Sequence, residues 1–372
     1  MDKNIKIIHT ADWHFGHLKT PTLSICQNIK KFLFKFIPEC DLMIIAGDVF
    51  DMSVSMNSHD AVLIIGFFLE LFNELNKSKV ILRIIRGTYS HDRNQLKVLE
   101  ALYKDYNFSF DFKYIDKIKI ETIKSLDIKI GYLPDNLNFN NSNEIIETVK
   151  KMMKMSGYSY LDYIVGHGDF DHKYPDNIVL PRITYQIEQF DFVKKYVLMG
   201  HNHIPSKYKK VIYSGSFSRL KHNEEGKKGF FYITDKPKFI ENKDAMIFKS
   251  FDINANYNQE ELIKKLNRIV DIYFSNKTKK GYLRIVNCPS EFKQWIYKSF
   301  LLNHPNINVT FKKKKGYLNN NLKINDHIAL KHSTNLEIPT SANIHILIAN
   351  AIKKYNFGKL HKNKIQMLLK RV

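Results

Sequence analysis

Short apolar runs rich in β-branched residues alternate with amphipathic stretches over the first 235 residues of the chain. The apolar runs predict strands at Lys6–His9, Asp41–Ala46, Val80–Ile85, Ile128–Leu133, Tyr163–Val165, Val197–Met199, Val211–Tyr213 and Gly229–Ile233. Apolar positions at helical spacing predict helices at Thr22–Phe36, Ser58–Leu75, Asn94–Tyr103 and Asn143–Met155. Because strands that alternate with helices form layered structures, we expect an α/β domain with helices on both faces.

The pattern changes after the Asp-Lys-Pro turn that begins at Asp235. Beyond this turn a second, smaller α/β unit is predicted from a helix, a strand, a helix and a strand, at Glu260–Phe274, Gly281–Val286, Ser290–Leu302 and Ile307–Phe311. We therefore expect one domain over 1–235 and another over 236–318, followed by an asparagine-rich linker over 319–340. Residues 341–372 hold seven Lys or Arg residues and no acid, with apolar positions at helical spacing. This basic helical segment suits docking on a partner, although packing on its own chain fits the spacing equally well.

The charge balance is strongly basic, with 58 Lys and Arg against 37 Asp and Glu, which gives a net charge of +21. Such a surplus indicates a polyanionic partner, either nucleic acid or an anionic membrane face, of which nucleic acid is the more common. A lysine-rich composition without a functional cause is the alternative. The three cysteines, Cys26, Cys40 and Cys288, lack CxxC spacing, so neither a disulfide framework nor a thiolate zinc site is expected. The sequence has no signal-peptide pattern and no long apolar run, so we expect a cytoplasmic protein without a membrane segment.

Five predicted strands end in a short turn that contains Asp or His residues. The residues that follow these strands are Asp12 and His14, Asp48 and Asp51, His91 and Asp92, His167, and His201 and His203. Because the carboxyl ends of strands in α/β sheets converge on one edge, we expect these side chains to meet in space. Carboxylate and imidazole groups suit Mn, Fe or Zn.

The number of candidate ligands is too large for one ion and suits two. Asp48 lies in the middle of the set and is the natural bridge between them. Two ions about 3.5–4 Å apart generate hydroxide from a bound water and hold the phosphate oxygens during in-line attack. The sequence offers no rival nucleophile, since Ser214-Gly215-Ser216 is not a nucleophile elbow and no glycine-rich phosphate loop is present. The pattern therefore predicts metal-assisted phosphoester hydrolysis.

Taken together, these motifs resemble those of the calcineurin-like metallophosphoesterases, and more narrowly the nuclease subunit of the SbcCD type. The family pattern D-x-H, G-D-x-x-D, G-N-H-D, G-H and G-H-x-H is matched in order by Asp12/His14, Asp48/Asp51, His91/Asp92, His167 and His201/His203. The resemblance covers roughly residues 5–235. It implies a layered metallophosphoesterase β-sandwich flanked by helices, with a small α/β capping domain and C-terminal helices.

The resemblance also implies roles for individual residues. One ion would be held by Asp12, His14, Asp48 and His203, and the second by Asp48, His167, His201 and the residue before His91. His91 would stabilise the transition state or protonate the leaving oxygen, and Asp92 would orient His91 through a hydrogen bond. The ions expected in such a site are two Mn²⁺, with Mg²⁺ as the alternative.

One departure from the family pattern concerns the second ion. The family has Asn directly before the catalytic His, whereas this chain reads Gly87-Thr88-Tyr89-Ser90-His91. Ser90 is therefore the expected ligand, and a neutral hydroxyl is a weaker one than an amide carbonyl. The alternative is that the longer loop presents the carbonyl of Thr88 or Tyr89.

The functional expectation is a metal-dependent DNA exo/endonuclease subunit that acts in DNA recombination, repair or replication. The resemblance implies an SMC-like ATPase of the SbcC type as partner, which the basic segment 341–372 would bind, and a homodimer formed through Ser58–Leu75. Two alternatives stay open at this point. One is another calcineurin-like phosphoesterase, either a phosphatase or a cyclic-nucleotide phosphodiesterase. The other is a DNA-binding protein whose site has weakened.

Overall fold

The computed structural model describes residues 4–135, 138–174, 181, 183–253, 257–274 and 280–312. The predicted linker 319–340 and the basic segment 341–372 lie outside the described residues. Within the described parts, residue contacts divide the chain into two units. The first contains residues 4–218 and 226–245, and the second contains residues 219–225 and 246–312.

The strands are short and mostly apolar. In chain order they are β1 (Ile7–Thr10), β2 (Leu42–Ala46), β3 (Ile81–Ile85), β4 (Phe112–Ile115), β5 (Lys119–Ile123), β6 (Ile128–Leu133), β7 (Leu161–His167), β8 (Asp169–Phe170), β9 (Thr184–Tyr185), β10 (Val193–Gly200), β11 (Ser206–Tyr208), β12 (Val211–Tyr213), β13 (Gly229–Ile233), β14 (Pro237–Glu241), β15 (Ile247–Asp252), β16 (Gly281–Val286) and β17 (Ile307–Lys312).

The α-helices vary from one turn to more than five. They are α1 (Thr22–Phe32), α2 (His59–Ser78), α3 (Tyr89–Asp92), α4 (Lys97–Asp105), α5 (Ser142–Met155), α6 (Gln259–Tyr273), α7 (Ser290–Trp295) and α8 (Leu301–Asn303). Short 3₁₀ helices lie at Phe34–Glu39, Asp171–Lys173 and Ile187–Phe190, and a π-helical turn at Ile296–Phe300 joins α7 to α8.

The first unit is a sandwich of two six-stranded sheets. One sheet has the order β14-β13-β1-β2-β3-β4 and the other β11-β12-β10-β7-β6-β5. Their inner faces share one apolar core, in which Ile7 and Ile44 of the first sheet pack with Ile130, Val165 and Leu198 of the second. The predicted layered α/β architecture is confirmed for this unit.

Helices cover the outer faces of both sheets. Ile29 of α1 and Phe68 of α2 belong to an apolar cluster with Met43 of β2, and Val149 of α5 belongs to another with Val197 of β10. Since both faces of the central strands are buried, these strands are continuous apolar runs rather than alternating ones. Strands β1 to β4 are parallel, as are β6, β7, β10 and β12, so each sheet collects the carboxyl ends of these strands along one edge.

Two boundaries differ from the sequence-based expectation for physical reasons. Helix α1 ends at Phe32, and the 3₁₀ helix that follows contains Pro38. Proline has no amide hydrogen, so an α-helix could not continue through it with its hydrogen bonds intact. Strand β14 pairs with β13 beyond the turn that was expected to end the domain, because a strand at the sheet edge tolerates Pro237. The first unit consequently extends to residue 245 rather than 235.

The second unit has three parallel strands, in the order β15-β16-β17, with helices in the connections. Leu262 and Leu266 of α6 pack with Leu283 and Ile285 of β16 in its core. This βαβαβ order extends the predicted unit by one strand, β15, which the sequence pattern did not indicate. Among the described residues, no helix combines the length and apolarity needed to span a bilayer.

Candidate metal centre

The loops after β1, β2 and β10 contain an unusual concentration of left-handed backbone. Asp12, His14, Asp48 and His201 all have positive φ angles, of 52°, 51°, 50° and 88°. Non-glycine residues rarely adopt this conformation, and it is retained mainly where the surrounding structure fixes a functional side chain. Backbone hydrogen bonds from Asp12 N to Gly47 O and from His14 N to Asp48 O, of 3.0 and 3.1 Å, hold the first two loops together.

A first group of potential ligands consists of Asp12, His14 and His203. One ligand atom from each lies within 4.8 Å of the others, and Asp12 and His14 are buried. The Nε2 atoms of His14 and His203 are 3.0 Å apart. Two imidazole nitrogens that face each other at this distance must share a proton or bind a common cation.

A second group consists of Asp48, His167 and His201, again with ligand atoms within 4.8 Å. Asp48 Oδ2 lies 3.3 Å from His167 Nε2 and 4.0 Å from His14 Nε2. The same carboxylate oxygen therefore faces both groups, as expected for a bridging ligand.

A backbone carbonyl orients the ring of His167. Its Nδ1 donates to the carbonyl of Ala46 at 2.8 Å, which turns Nε2 toward Asp48. Burial lowers the pKa of His167, but the carboxylate of Asp48 more than offsets this and raises it to about 10. The pKa of Asp48 lies well below its usual range, because His167, His14 and His91 outweigh the effect of its burial. The two pKa shifts show that Asp48 and His167 together stabilise a positive charge. Their carboxylate oxygen and imidazole nitrogen are also donors that fit a divalent cation.

A sequence model of the calcineurin-like phosphoesterase family matches residues 5–205, which is more than half of the chain. The chain belongs to the calcineurin-like phosphoesterase family. A curated relative, the SbcD component of the SbcCD nuclease of Staphylococcus epidermidis, is 23% identical over 270 residues, which cover 65% of this chain and 68% of that protein. The sequence-based assignment to this family is confirmed, and the described residues include His/Asp groups with the donors that a divalent metal needs.

A hydroxyl that the sequence analysis did not single out lies beside the second ligand group. Thr88 Oγ1 lies 3.3 Å from both Asp48 Oδ2 and His167 Nε2. Ser90, the predicted ligand at this place, lies in the short helix α3 with an exposed side chain, and the described contacts do not join it to the cluster.

His91 lies outside the first group and forms a third one with His14 and Asp51, whose ligand atoms also lie within 4.8 Å of one another. Its Nδ1 donates to the backbone carbonyl of Asp51, and its ring is 5.0 Å from that of His14. Asp51 Oδ1 in turn lies 3.2 Å from His14 Nδ1. The structure thus brings His91 to the edge of the centre, where the sequence placed it.

Asp92 does not hold His91 in the way that the family resemblance implied. Its fully buried carboxylate accepts backbone hydrogen bonds from Asp48, Phe50 and Gly87, at 3.0, 3.1 and 2.7 Å. The two side chains diverge because consecutive residues in a helical turn point in different directions. The expected hydrogen bond is therefore corrected: the Asp51 carbonyl orients His91, and Asp92 joins the loops after β2 and β3.

Asp169 is another neighbour of the second group, and the sequence analysis assigns it no role. Its Oδ2 lies 3.3 Å from His201 Nε2, and this hydrogen bond raises the pKa of His201. Asp169 stands two residues after His167 in the next short strand, β8. The position of Asp169, two residues after the candidate ligand His167, was the signal that the sequence offered. The sequence could not show that its contact is His201.

Glycines allow the loops to approach each other closely. A Cβ atom on Gly200 would lie 2.0 Å from the carbonyl oxygen of Ala46, and one on Gly87 would lie 2.1 Å from the amide nitrogen of Asp48. Both glycines precede site residues in the chain, so the ligands converge only because these positions have no side chain.

Proposed function

We propose that this phosphoesterase is a metal-dependent DNA exo/endonuclease subunit that hydrolyses phosphodiester bonds with two divalent ions, Mn²⁺ with Mg²⁺ as the alternative. The observation that supports this most is that Asp48 Oδ2 faces both ligand groups, at 3.3 Å from His167 Nε2 and 4.0 Å from His14 Nε2. A single ion would not need two groups joined by one carboxylate.

Each ligand group would hold one ion. Asp12, His14, His203 and Asp48 would bind the first, and Asp48, His167 and His201 the second. When bound, the ions supply an activated water and neutralise the charge that develops on the phosphate.

His91 is the residue proposed to act on the substrate directly. The bond from Nδ1 to the Asp51 carbonyl directs Nε2 away from that loop and leaves it for a phosphate oxygen. A donor at this position stabilises the developing charge or protonates the leaving oxygen. Asp92 does not contact the substrate in this proposal. Its carboxylate holds the loops that contain Asp48 and Gly87 in place by accepting their backbone hydrogen bonds.

Two features favour DNA over a small phosphoester. The net charge of +21 suits a polyanion. Large apolar side chains are also exposed in the loops that carry the centre: Leu18, Met52, Tyr89 and Ile204, with 84%, 43%, 47% and 62% of their surface accessible. Met52, Tyr89 and Ile204 each directly follow a cluster residue in sequence. Small polar phosphoesters have no apolar surface that could pack on these exposed side chains. Nucleobases have apolar faces that pack on them.

The partner and the assembly are further parts of the proposal. The curated relative is a component of SbcCD by name, which supports an SMC-like ATPase of the SbcC type as the partner of this chain. The basic segment 341–372 is proposed to bind it, and the unit from 236 to 318 to act as the capping and DNA-contact domain. A homodimer through Ser58–Leu75 is proposed as well, although most apolar side chains of α2 pack in their own core.

A nuclease assay tests this function. Purified full-length chain is incubated with labelled duplex and single-stranded DNA in Mn²⁺ or Mg²⁺, with and without an SbcC-type ATPase. Wild type is expected to cleave DNA and Asp48→Asn to be inactive, while the exposed-site control Glu147→Gln keeps full activity. Cleavage of small phosphomonoesters or cyclic nucleotides without any cleavage of DNA would support the alternative enzymes instead.

A further inference from the structure

Thr88 contacts the second ligand group through two separate atoms. Its backbone N donates to Asp48 Oδ1 at 2.6 Å. Its hydroxyl Oγ1 lies 3.3 Å from Asp48 Oδ2 and 3.3 Å from His167 Nε2. The amide therefore holds one oxygen of the bridging carboxylate, and the hydroxyl faces the other oxygen together with the imidazole.

The other oxygen atoms of this loop are engaged elsewhere. The carbonyl of Thr88 accepts from His91 N at 2.9 Å and from Asp92 N at 3.0 Å, and the carbonyl of Tyr89 accepts from Arg93 N at 3.1 Å. These bonds form the helical turn of α3, so neither carbonyl is turned toward Asp48. The side chain of Ser90 is exposed. Of these oxygens, the Thr88 hydroxyl is the one directed at the cluster.

We propose that Thr88 Oγ1 is a ligand of the second divalent ion, together with Asp48, His167 and His201. This inference rests on the two-ion function proposed above and assigns the oxygen that completes the second group. A hydroxyl is a neutral oxygen donor that suits Mn²⁺ or Mg²⁺ but binds more weakly than a carboxylate. The second site of this chain is therefore the weaker of the two.

The two contacts of Thr88 make a clean test possible. Thr88→Val keeps the shape of the side chain and the backbone N–H, and it replaces the hydroxyl with a methyl group. Thr88→Ser keeps the hydroxyl, Thr88→Ala removes it without adding bulk, and Ser90→Ala is the matched control in the same loop. Mn²⁺ binding to each full-length variant is measured by isothermal titration calorimetry and by electron paramagnetic resonance of the bound ions, independently of activity.

The inference predicts two ions per wild-type chain, the second weaker than the first. Thr88→Val and Thr88→Ala are expected to keep the first ion and to bind the second at least about tenfold more weakly, because loss of even an indirect partner costs 10–100-fold in metal affinity. Thr88→Ser and Ser90→Ala are expected to bind both ions as wild type does.

Four results would overturn the inference. Unchanged binding of the second ion in Thr88→Val and Thr88→Ala would remove Thr88 as a ligand and leave the two-ion function intact. Loss of the second ion in Ser90→Ala would return the role to Ser90. Loss of both ions in Thr88→Val and Thr88→Ala would make Thr88 a structural residue of the loop. A wild-type chain that binds only one ion would refute the two-ion function itself, and this inference with it.

Discussion

The Nε2 atoms of His14 and His203 lie 3.0 Å apart, although the two residues are 189 positions apart in the chain. His14 is held by the loop after β1, and His203 follows β10 in the other sheet. The sandwich brings these loops to one edge, and the proposed chemistry depends on this convergence. Substitutions around this edge test the roles assigned to its residues.

Substitution of His91 separates catalysis from metal binding. His91→Ala removes the proposed donor to the phosphate but leaves in place the two groups that are proposed to hold ions. We expect DNA cleavage to fall by about 10²–10⁴-fold, the usual contribution of a general acid. Two Mn²⁺ should still bind, as measured by calorimetry. Undiminished cleavage would remove His91 from the mechanism, and the exposed Glu147→Gln serves as control.

Asp92 is predicted to contribute to stability more than to chemistry. Asp92→Ala leaves the backbone N–H groups of Asp48, Phe50 and Gly87 without their acceptor in a buried place. We expect a loss of about 2–4 kcal/mol in the free energy of unfolding. Urea unfolding followed by circular dichroism measures this, with the exposed Asp271→Ala as control. Equal stability of the two variants would contradict the assigned role.

The buried pair of Arg83 and Glu121 predicts a pH-dependent part of stability. Arg83 is fully buried and donates to both carboxylate oxygens of Glu121, at 2.8 and 2.9 Å. Burial raises the pKa of Glu121, but its hydrogen bonds with Arg83, Lys113 and Tyr132 outweigh it, with Arg83 the largest of these, and lower the pKa from 4.5 to about 2. Because the folded-state pKa is depressed, the stabilisation is complete above about pH 4.5 and is lost as the pH falls toward 2.

Glu121→Gln is the variant that measures this contribution. We expect it to be less stable than wild type by about 2–3 kcal/mol at pH 7, and the difference to shrink below pH 4.5. Chemical unfolding at a series of pH values gives both quantities. The exposed Glu147→Gln should change stability by less than about 0.5 kcal/mol at every pH. A Glu121→Gln difference that stays constant from pH 7 to pH 3 would argue against the assigned ion pair.

DNA binding is expected to depend steeply on salt. With a net charge of +21 and several phosphate contacts, the logarithm of the association constant should fall with the logarithm of salt concentration, at a slope of about −3 or steeper. Fluorescence anisotropy with labelled duplex DNA between low and moderate salt measures the slope. A flat response would count against the proposed polyanionic substrate.

Much of the fold could be predicted because both faces of its central strands are buried. The bounds of β6, β12 and β13 match the apolar runs, since each run ends at a polar residue or a turn. The edge strand β14 begins with Pro237 and also contains Lys238, so its sequence does not indicate a strand. Its formation depends on pairing with β13, which is a tertiary effect.

The site residues that lie at or just after the carboxyl ends of strands could be predicted from the sequence. Asp12, Asp48 and His167 come directly after or at the end of buried strands, and the shared sheet edge brings them together. The oxygen that the loop after β3 presents could not be predicted, because it depends on the helical turn that engages the carbonyls of Thr88 and Tyr89. The same turn separates the side chains of His91 and Asp92.

The central claim is that two divalent ions share Asp48. The most direct test is anomalous X-ray scattering from crystals of the full-length protein soaked in Mn²⁺. The account predicts two manganese peaks about 3.5–4 Å apart, one between Asp12, His14 and His203 and one beside His167 and His201, with Asp48 contacting both. A single peak, or two peaks that do not share Asp48, would contradict it.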